Sequence, residues 1–390
     1  MISVAVGQAP PQEQLREYLL PNSPNSADIS PNEQVVAIES TLENNSIPSR
    51  ARVADDVVQL WDFKHGKLLA EFHVPDEDSK SLPKTSFNDL HAIAHGRFVR
   101  FSPMGNTLLA LIGRTIYVLR AGDLATVRVI SIVPLSGVES EVHGRAVIIE
   151  PRITSMEISP DGSATAVLWT RGLLYGRVQV YDSSSGKLLR SWETPQGWIT
   201  FSRGLTWSPD GSALLEAIPN SIPCMRPTGV PDVFEFDVRT GKIRKKFVTG
   251  LLAGGVGISR DARMLVDDSD CIGVFANHHP KLKVFDLTSG KLVRTVAGRG
   301  SGVRYTVSVS EDGTRFLAFT GTMKAKFDWG DFVSYGVALD ETFSVWNLTN
   351  YQGIVTSQNI PGLLASGLRL SPNGRYAVSY GKASFVYELP

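Results

Sequence analysis

The chain has little of what would mark a disulfide framework, a membrane protein or a nucleic-acid binder. Only two cysteines occur in 390 residues, Cys224 and Cys271, which excludes a cysteine-rich scaffold and any metal site built from cysteines alone. No apolar run reaches the roughly 18 residues of a membrane helix. Thirty-nine basic residues balance thirty-nine acidic ones, so net charge gives no reason to expect nucleic acid or an anionic membrane as a partner.

Linear catalytic motifs are also missing. The sequence contains no Gly-x-Ser-x-Gly elbow, no phosphate-binding glycine loop and no zinc-protease signature. Hydrophobic residues make up 42% of the chain and charged residues 20%, which is ordinary for a folded globular protein. We therefore expect a protein with a large core that leans towards a noncatalytic role, and we predict no cofactor.

One tight turn recurs from end to end. An apolar, any, apolar triplet is followed by Ser-Pro-Asp-Gly or a near relative, and the proline, acid and glycine favour a tight hairpin. The seven copies have their serines at Ser30, Ser102, Ser159, Ser208, Ser259, Ser310 and Ser371, at intervals of 49 to 72 residues. Periods of about 40 to 50 residues, lengthened by loop insertions, are typical of propeller blades.

A second hairpin follows in most repeats. A β-rich run ends in an aromatic residue and an acid, and a Gly-Lys pair comes four residues after the acid. The clearest copies join Trp61-Asp62 to Gly66-Lys67, Tyr181-Asp182 to Gly186-Lys187, Phe236-Asp237 to Gly241-Lys242 and Phe285-Asp286 to Gly290-Lys291.

These repeats resemble those of the WD-repeat and related YVTN-type β-propellers, and the resemblance covers essentially the whole chain. It implies an all-β, seven-bladed β-propeller with four antiparallel strands per blade, as one domain over residues 1–390. The blades are expected to start near residues 27, 98, 155, 204, 255, 306 and 367. The Gly-His pair of true WD repeats is absent, and the acid six residues before the aromatic occurs only as Asp55 and Asp340, so the chain is a divergent relative.

The start of the chain is expected to close the ring. The seventh blade ends after three strands, and residues 2–6 are predicted to supply the fourth, which removes an exposed edge. Between this strand and the first blade, the spacing of Leu15, Tyr18 and Leu19 predicts one or two helical turns. The alternative is that residues 2–6 are the end of a clipped signal peptide.

The long connections gather on one face, which we predict to be the binding face. They cover roughly residues 41–54, 74–97, 133–153, 218–231, 267–280 and 321–341, and such insertions commonly mark the binding side of a repeat protein. The insertion 324–342 carries Phe327, Trp329, Phe332 and Tyr335 among acids, which resembles an interaction hot spot. The alternative is that it forms its own hairpin and buries these rings.

Two histidine pairs and the two cysteines complete the candidate residues. His91 and His95, four residues apart, are taken as further binding residues, and His278, His279 and Asp270 form a less complete candidate for a metal site. Cys224 and Cys271 lie in equivalent loops and are expected close together, either as a disulfide in a secreted or periplasmic protein or as two free thiols in the cytoplasm, the compartment slightly favoured.

The sequence thus leads to a noncatalytic scaffold that presents loops to a protein or peptide. It is expected to be monomeric, without nucleic-acid binding or membrane insertion. The alternative is a propeller enzyme or small-ligand binder of the lactonase or quinoprotein-like kind, with its site where the central channel opens on the insertion face.

Overall fold

The computed structural model describes most of the repeats and few of their long connections. The described residues are 15–21, 24–43, 54–75, 96–136, 138–142, 145–149, 151–171, 175–195, 204–218, 231–249, 256–258, 263–268, 281–297, 304–327, 334–350, 352–358, 365–381 and 384–390. Within them the regular structure consists of β-strands.

Each repeat forms a four-stranded antiparallel sheet, numbered here from the innermost strand outwards. Blade 1 contains β2 (Ser26–Ile29), β3 (Val36–Glu43), β4 (Ala54–Asp62) and β5 (Lys67–His73). Blade 2 contains β6 (Arg97–Phe101), β7 (Thr107–Ile112), β8 (Thr115–Arg120) and β9 (Thr126–Ser131). Blade 3 contains β12 (Arg152–Ile158), β13 (Ala164–Arg171), β14 (Tyr175–Asp182) and β15 (Leu188–Thr194).

The next three blades repeat the same order. Blade 4 contains β16 (Gly204–Trp207), β17 (Ala213–Ala217), β18 (Val233–Asp237) and β19 (Ile243–Phe247). Blade 5 contains β20 (Val256–Ile258), β21 (Arg263–Asp268), β22 (Lys281–Asp286) and β23 (Leu292–Ala297). Blade 6 contains β24 (Arg304–Val309), β25 (Arg315–Phe327), β26 (Ser334–Asn347) and β27 (Gly353–Gln358).

Blade 7 combines the two ends of the chain. Its strands are β28 (Ala365–Leu370), β29 (Tyr376–Gly381) and β30 (Phe385–Glu388), with β1 (Arg16–Leu19) paired antiparallel to the outer edge of β30. A separate two-stranded ribbon, β10 (Val138–Val142) with β11 (Arg145–Ile149), lies between blades 2 and 3 in the chain.

The innermost strands surround a centre. β2 contacts β6, β6 contacts β12, and so on through β16, β20, β24 and β28, which returns to β2. Apolar clusters fill the spaces between neighbouring blades, for example Phe72, Tyr117 and Leu119 between blades 1 and 2. The prediction of an all-β propeller with four antiparallel strands per blade is confirmed.

The N-terminal segment corrects one prediction. The strand beside β30 is Arg16–Leu19, whereas residues 2–6 lie outside the described residues. The helical turns predicted from Leu15, Tyr18 and Leu19 are replaced by this strand. Leu19 is 72% exposed while Leu20 is buried and Tyr18 packs on the core, so the pattern alternates as in a strand and not as on a helix face.

The recurring turn is held by its own side chains. In blade 3, Ser159 Oγ donates to Asp161 Oδ1 at 2.6 Å and accepts from Ala164 N at 2.9 Å, and Gly162 adopts a left-handed φ of 76°. The serine hydroxyl thus provides a hydrogen-bond partner for a backbone N–H that the tight turn would otherwise leave unpaired.

The turns also pack around the ring. A Cβ added to Gly105 would lie 3.2 Å from Pro31 of the preceding turn, and at Gly162 the distance to Pro103 would be 3.5 Å. The proline of one blade therefore covers the glycine of the next. These turns and the Asp-to-Gly-Lys turns share one end of the strands, here called the turn face. The connections after the second and fourth strands lie at the other end, here called the insertion face.

Candidate functional site

One position of each innermost strand faces the centre of the ring. It is the middle residue of the triplet before the turn serine, because the residues on either side pack into the spaces between blades. In chain order these residues are Asp28, Arg100, Glu157, Thr206, Gly257, Ser308 and Arg369. Four are charged and three are small.

The four charged residues form a connected group, the central charge cluster (Asp28, Arg100, Glu157 and Arg369). Arg369 Nη1 lies 3.3 Å from Glu157 Oε1, and Arg100 Nη2 lies 3.5 Å from the same oxygen. Arg369 Nε lies 3.5 Å from Asp28 Oδ1. The cluster links blades 7, 1, 2 and 3, and Glu157 meets Arg369 although 212 residues separate them.

The charges of this cluster balance. Two guanidinium groups face two carboxylates, and Phe101 N also donates to Asp28 Oδ2 at 2.8 Å. Burial raises the pKa of the Asp28 carboxyl above its ordinary value, against the opposing effect of Arg369 and Arg100. These groups therefore compensate one another, and the cluster ties the inner strands together near the turn face.

Side chains of the inner strands also bind the next blade directly. Their oxygens accept hydrogen bonds from backbone N–H groups of the innermost strand in the neighbouring blade. These N–H groups make no hydrogen bond within their own sheet. Such bonds join Val99 N to Ser26 Oγ at 3.2 Å, Leu205 N to Ser155 Oγ at 3.3 Å and Leu370 N to Ser308 Oγ at 2.9 Å.

A second polar group, the seam cluster (Asn25, Glu39, Thr41, Asp56 and Arg97), lies between blades 1 and 2 towards the insertion face. Arg97 Nη2 lies 2.9 Å from Asp56 Oδ1, and Thr41 Oγ1 donates to Asp56 at 2.9 Å. Asn25 Nδ2 lies 3.4 Å from Glu39 Oε1, while Glu39 Oε2 has no hydrogen-bond partner within the described part of the chain.

Glu39 is an acid of this cluster with a strongly raised pKa. Its side chain is fully buried, and this burial raises its pKa from 4.5 to about 8, with Arg97 opposing the shift and Asp56 adding to it. A carboxyl group that keeps its proton near neutral pH can donate a hydrogen bond or exchange a proton, as general acids do.

Two β-ribbons extend from the insertion face. In blade 6, β24 pairs with β25 only as far as Gly321 and β27 pairs with β26 only as far as Thr342, but β25 and β26 continue to pair as far as Phe327 with Ser334. The β10–β11 ribbon follows the last strand of blade 2 at the same end. The insertion 321–341 is thus largely an extension of a hairpin, and the prediction about its aromatic rings stays a prediction.

The structure describes few of the site residues predicted from the sequence. Phe327 and Tyr335 lie on the paired strands of the blade 6 ribbon, and only their backbone is described. The other predicted site residues lie outside the described residues: Trp329, Phe332, His91, His95, His278, His279, Asp270, Cys224 and Cys271.

The sequence reasoning missed both clusters, although one had a readable signal. The free position of the triplet before the turn serine is charged in four of the seven repeats, and aligning the repeats would have found it. Glu39 gave no such signal, since a single acid in a strand is normally solvent-exposed.

No group of three or more histidine, cysteine, aspartate or glutamate residues placed to hold a metal ion occurs within the described ranges. No helix in that part of the protein is long and apolar enough to span a membrane.

Comparison with known proteins supports the fold. No protein-family model matches the chain, and no curated protein matches it. Among solved structures, the chain is similar to the C-terminal WD40 domain of Sif2, with a TM-score of 0.57 and 12% identity over 97% of this chain and 99% of that one. At this identity the likeness shows the fold alone, and the fold is that of a WD40-type β-propeller.

Proposed function

We propose that this chain is a noncatalytic interaction protein: a single seven-bladed propeller over residues 1–390 that presents the connections of its insertion face to another protein or peptide. The observation that carries the proposal is the pair of β-ribbons that extend from this face. The turns that the structure describes on the turn face, by contrast, are tight, and they satisfy their own polar groups as the Ser159 turn does.

The central charge cluster agrees with a structural role for the middle of the ring. Its arginines and carboxylates are paired with one another, so that groups otherwise suited to bind a charged ligand serve to join blades. A rigid ring that holds projecting loops is the arrangement repeat proteins commonly use to bind partners.

Within the blade 6 ribbon, we assign the main contact to the aromatic residues Phe327, Trp329, Phe332 and Tyr335. Aromatic side chains surrounded by charge provide large contact areas with little loss of conformational freedom. We assign His91 and His95, in the connection between blades 1 and 2, to the edge of the same surface as part of this proposal.

The test is cross-linked partner capture with three forms of the protein. In the first variant, residues 323–339 are replaced by Asn-Gly, which suits a two-residue turn between the paired Thr322 and Asp340. The control variant is Met104→Glu, because Met104 is 82% exposed on the turn face. We expect the shortened ribbon to lose a partner that both other forms retain, with the melting temperature unchanged. Equal capture by all three forms would refute the ribbon as the contact.

A second candidate function is catalysis or small-ligand binding near the insertion face, and the seam cluster is the observation that favours it. Perturbed buried carboxyl groups are enriched at active sites. Elemental analysis of protein purified without chelator, with a melting scan before and after chelator, is the first test of a metal-dependent form. Bound metal whose removal lowers the midpoint would favour this candidate, and no metal with no shift would favour the scaffold.

A further inference from the structure

The outer edge of blade 4 differs from the outer edges of the other blades. The stretch 239–246, which contains the last turn and most of β19, has five basic residues: Arg239, Lys242, Arg244, Lys245 and Lys246. The strand β19 alone has three of them, whereas the outer strands β5, β9, β15 and β23 carry one lysine or arginine each, and two of those strands also carry an acid. Protection of a strand edge by lysine is needed by every blade, so it does not explain this concentration.

Much of this charge is not neutralised. Arg244 is paired with Asp237, and Lys245 Nζ donates to the carbonyl oxygens of Leu287 and Thr288 in blade 5 at 2.9 and 3.0 Å. Arg239, Lys242 and Lys246 are exposed, and within the described residues their side chains have no hydrogen-bond or ion-pair partner. Three free cationic groups therefore surround one strand of a chain whose overall charge is zero.

The strand itself offers more than charge. β19 pairs with β18 on one side only, and in the described part of the chain no strand covers its other side. Half of the backbone groups of an edge strand point outwards, where an extended peptide can pair with them. Ile243 is 39% exposed and Val248 is 53% exposed, so each end of the strand presents an aliphatic contact.

We propose that the outer edge of blade 4 binds an acidic peptide segment, which adds to the sheet as a fifth strand with its carboxylates on Arg239, Lys242 and Lys246. Aliphatic residues at the two ends of the segment contact Ile243 and Val248. A peptide fits this edge better than a nucleic acid does, because only a peptide backbone pairs with the strand and the basic residues follow one strand and its turn. The surface is separate from the insertion face.

The experiment measures binding of a fluorescent peptide, acetyl-Val-Glu-Asp-Glu-Asp-Val-amide, to the whole protein by fluorescence polarisation. The test variant is Arg239→Ser with Lys242→Ser and Lys246→Ser. The control variant is Lys67→Ser with Lys187→Ser and Lys291→Ser, which removes the same charge from the equivalent Gly-Lys turns of blades 1, 3 and 5. Both variants change exposed groups, so both are expected to keep the wild-type melting temperature.

We expect the dissociation constant to rise at least about fivefold in the test variant and less than about twofold in the control, since exposed charge contacts are worth roughly a factor of two each. A peptide methylated on alternate backbone nitrogens keeps its charge and is expected to bind at least about fivefold more weakly. Equal weakening in the two variants, or full binding of the methylated peptide, would overturn the proposal. Tighter binding of an oligo-dT of equal charge, lost in the test variant, would assign the surface to nucleic acid instead.

Discussion

Two arcs of the ring use the same strand position in different ways. In blades 7, 1, 2 and 3 the residue that faces the centre is charged, and the four side chains form the central charge cluster. In blades 4, 5 and 6 the same position holds Thr206, Gly257 and Ser308. Both arcs have the same four-stranded blades, so the fold itself does not require charge at the centre.

The position of the charged arc suggests a reason for the difference. It contains blade 7, where β1 pairs with β30, and the seam between blades 7 and 1, where Arg369 reaches Asp28. The turns of these blades are also linked, because Ser371 Oγ donates to Glu33 Oε1 at 2.6 Å. The chain joins β1 of blade 7 to β2 of blade 1 as it joins the other blades, so the ring is closed without a covalent connection inside blade 7, where β30 pairs with β1. The charges are therefore concentrated in the arc that contains this non-covalent closure.

The largest predicted effect concerns Glu39, the buried acid of the charged arc. Its folded-state pKa of about 8 exceeds the ordinary 4.5, so the folded protein keeps a proton that the unfolded chain releases. The contribution of Glu39 to the free energy of unfolding should be fully present below about pH 4.5 and should be lost as the pH rises to about 8. The loss is up to roughly 5 kcal/mol, at about 1.4 kcal/mol per pKa unit. About 3 kcal/mol of this fall lies between about pH 5.5 and about pH 8.5, and Glu39→Gln should remove it when urea unfolding is measured at these two pH values.

The control for this prediction is Glu193→Gln, which changes an acid that is 68% exposed on the outer strand of blade 3. It should leave the pH dependence as in the wild type. A Glu39→Gln protein that loses stability over the same pH range as the wild type would show that Glu39 is not the group responsible.

Removal of the shared Glu157 carboxylate should cost more stability than the equivalent change in the other arc. Glu157→Ala leaves Arg369 and Arg100 without their common partner, and we expect a loss of about 2 to 3 kcal/mol in the free energy of unfolding, reduced by the partial exposure of these groups. Thr206→Ala, at the same position of the other arc, should cost less than about 1 kcal/mol. Similar losses in chemical denaturation would mean that the cluster adds no stability of its own.

The interaction energy between Arg369 and Glu157 across the ring should be smaller than the loss from removing Glu157. A double-mutant cycle with Arg369→Met and Glu157→Gln should give an interaction energy of about 1 kcal/mol, measured by denaturant unfolding. The exposed pair Arg177–Glu193 on blade 3 serves for comparison and should give less than about 0.5 kcal/mol. A central coupling as small as the exposed one would remove the distinction between the arcs.

The smallest effect concerns the turn glycines at two seams. Gly105 and Gly211 have nearly the same left-handed φ, 70° and 68°, but an added Cβ would lie 3.2 Å from Pro31 in the first case and 3.8 Å from Pro160 in the second. Replacement by alanine should cost about 1 kcal/mol at both sites because of φ. Gly105→Ala, at a seam of the charged arc, should cost about a few tenths of a kcal/mol more, measured by thermal unfolding. An equal cost at the two sites would show that the closer contact with Pro31 relaxes without a loss of stability.

The sequence by itself determined the repeated unit. The Ser-Pro-Asp-Gly turns and the alternating apolar residues before them depend on local rules of backbone geometry and pleating, so they predicted the hairpins, the strand order within a blade and the propeller class. Local rules failed at Leu15 to Leu19, because a short segment with that spacing fits a helix as well as a strand until a sheet edge is available to it.

Only the tertiary structure decided which distant residues meet. Arg369 and Glu157 come together because the chain closes into a ring, and nothing near either residue in the sequence encodes that distance. Burial of Glu39 likewise depends on blade 2 covering blade 1, which sets the dielectric environment and hence the pKa of the carboxyl. The turn proline, which the sequence explains as a local constraint, gained a second role as the cover of the glycine in the next blade. Strand pattern is a local property, whereas ion pairing and burial are set by whatever the closed ring brings alongside.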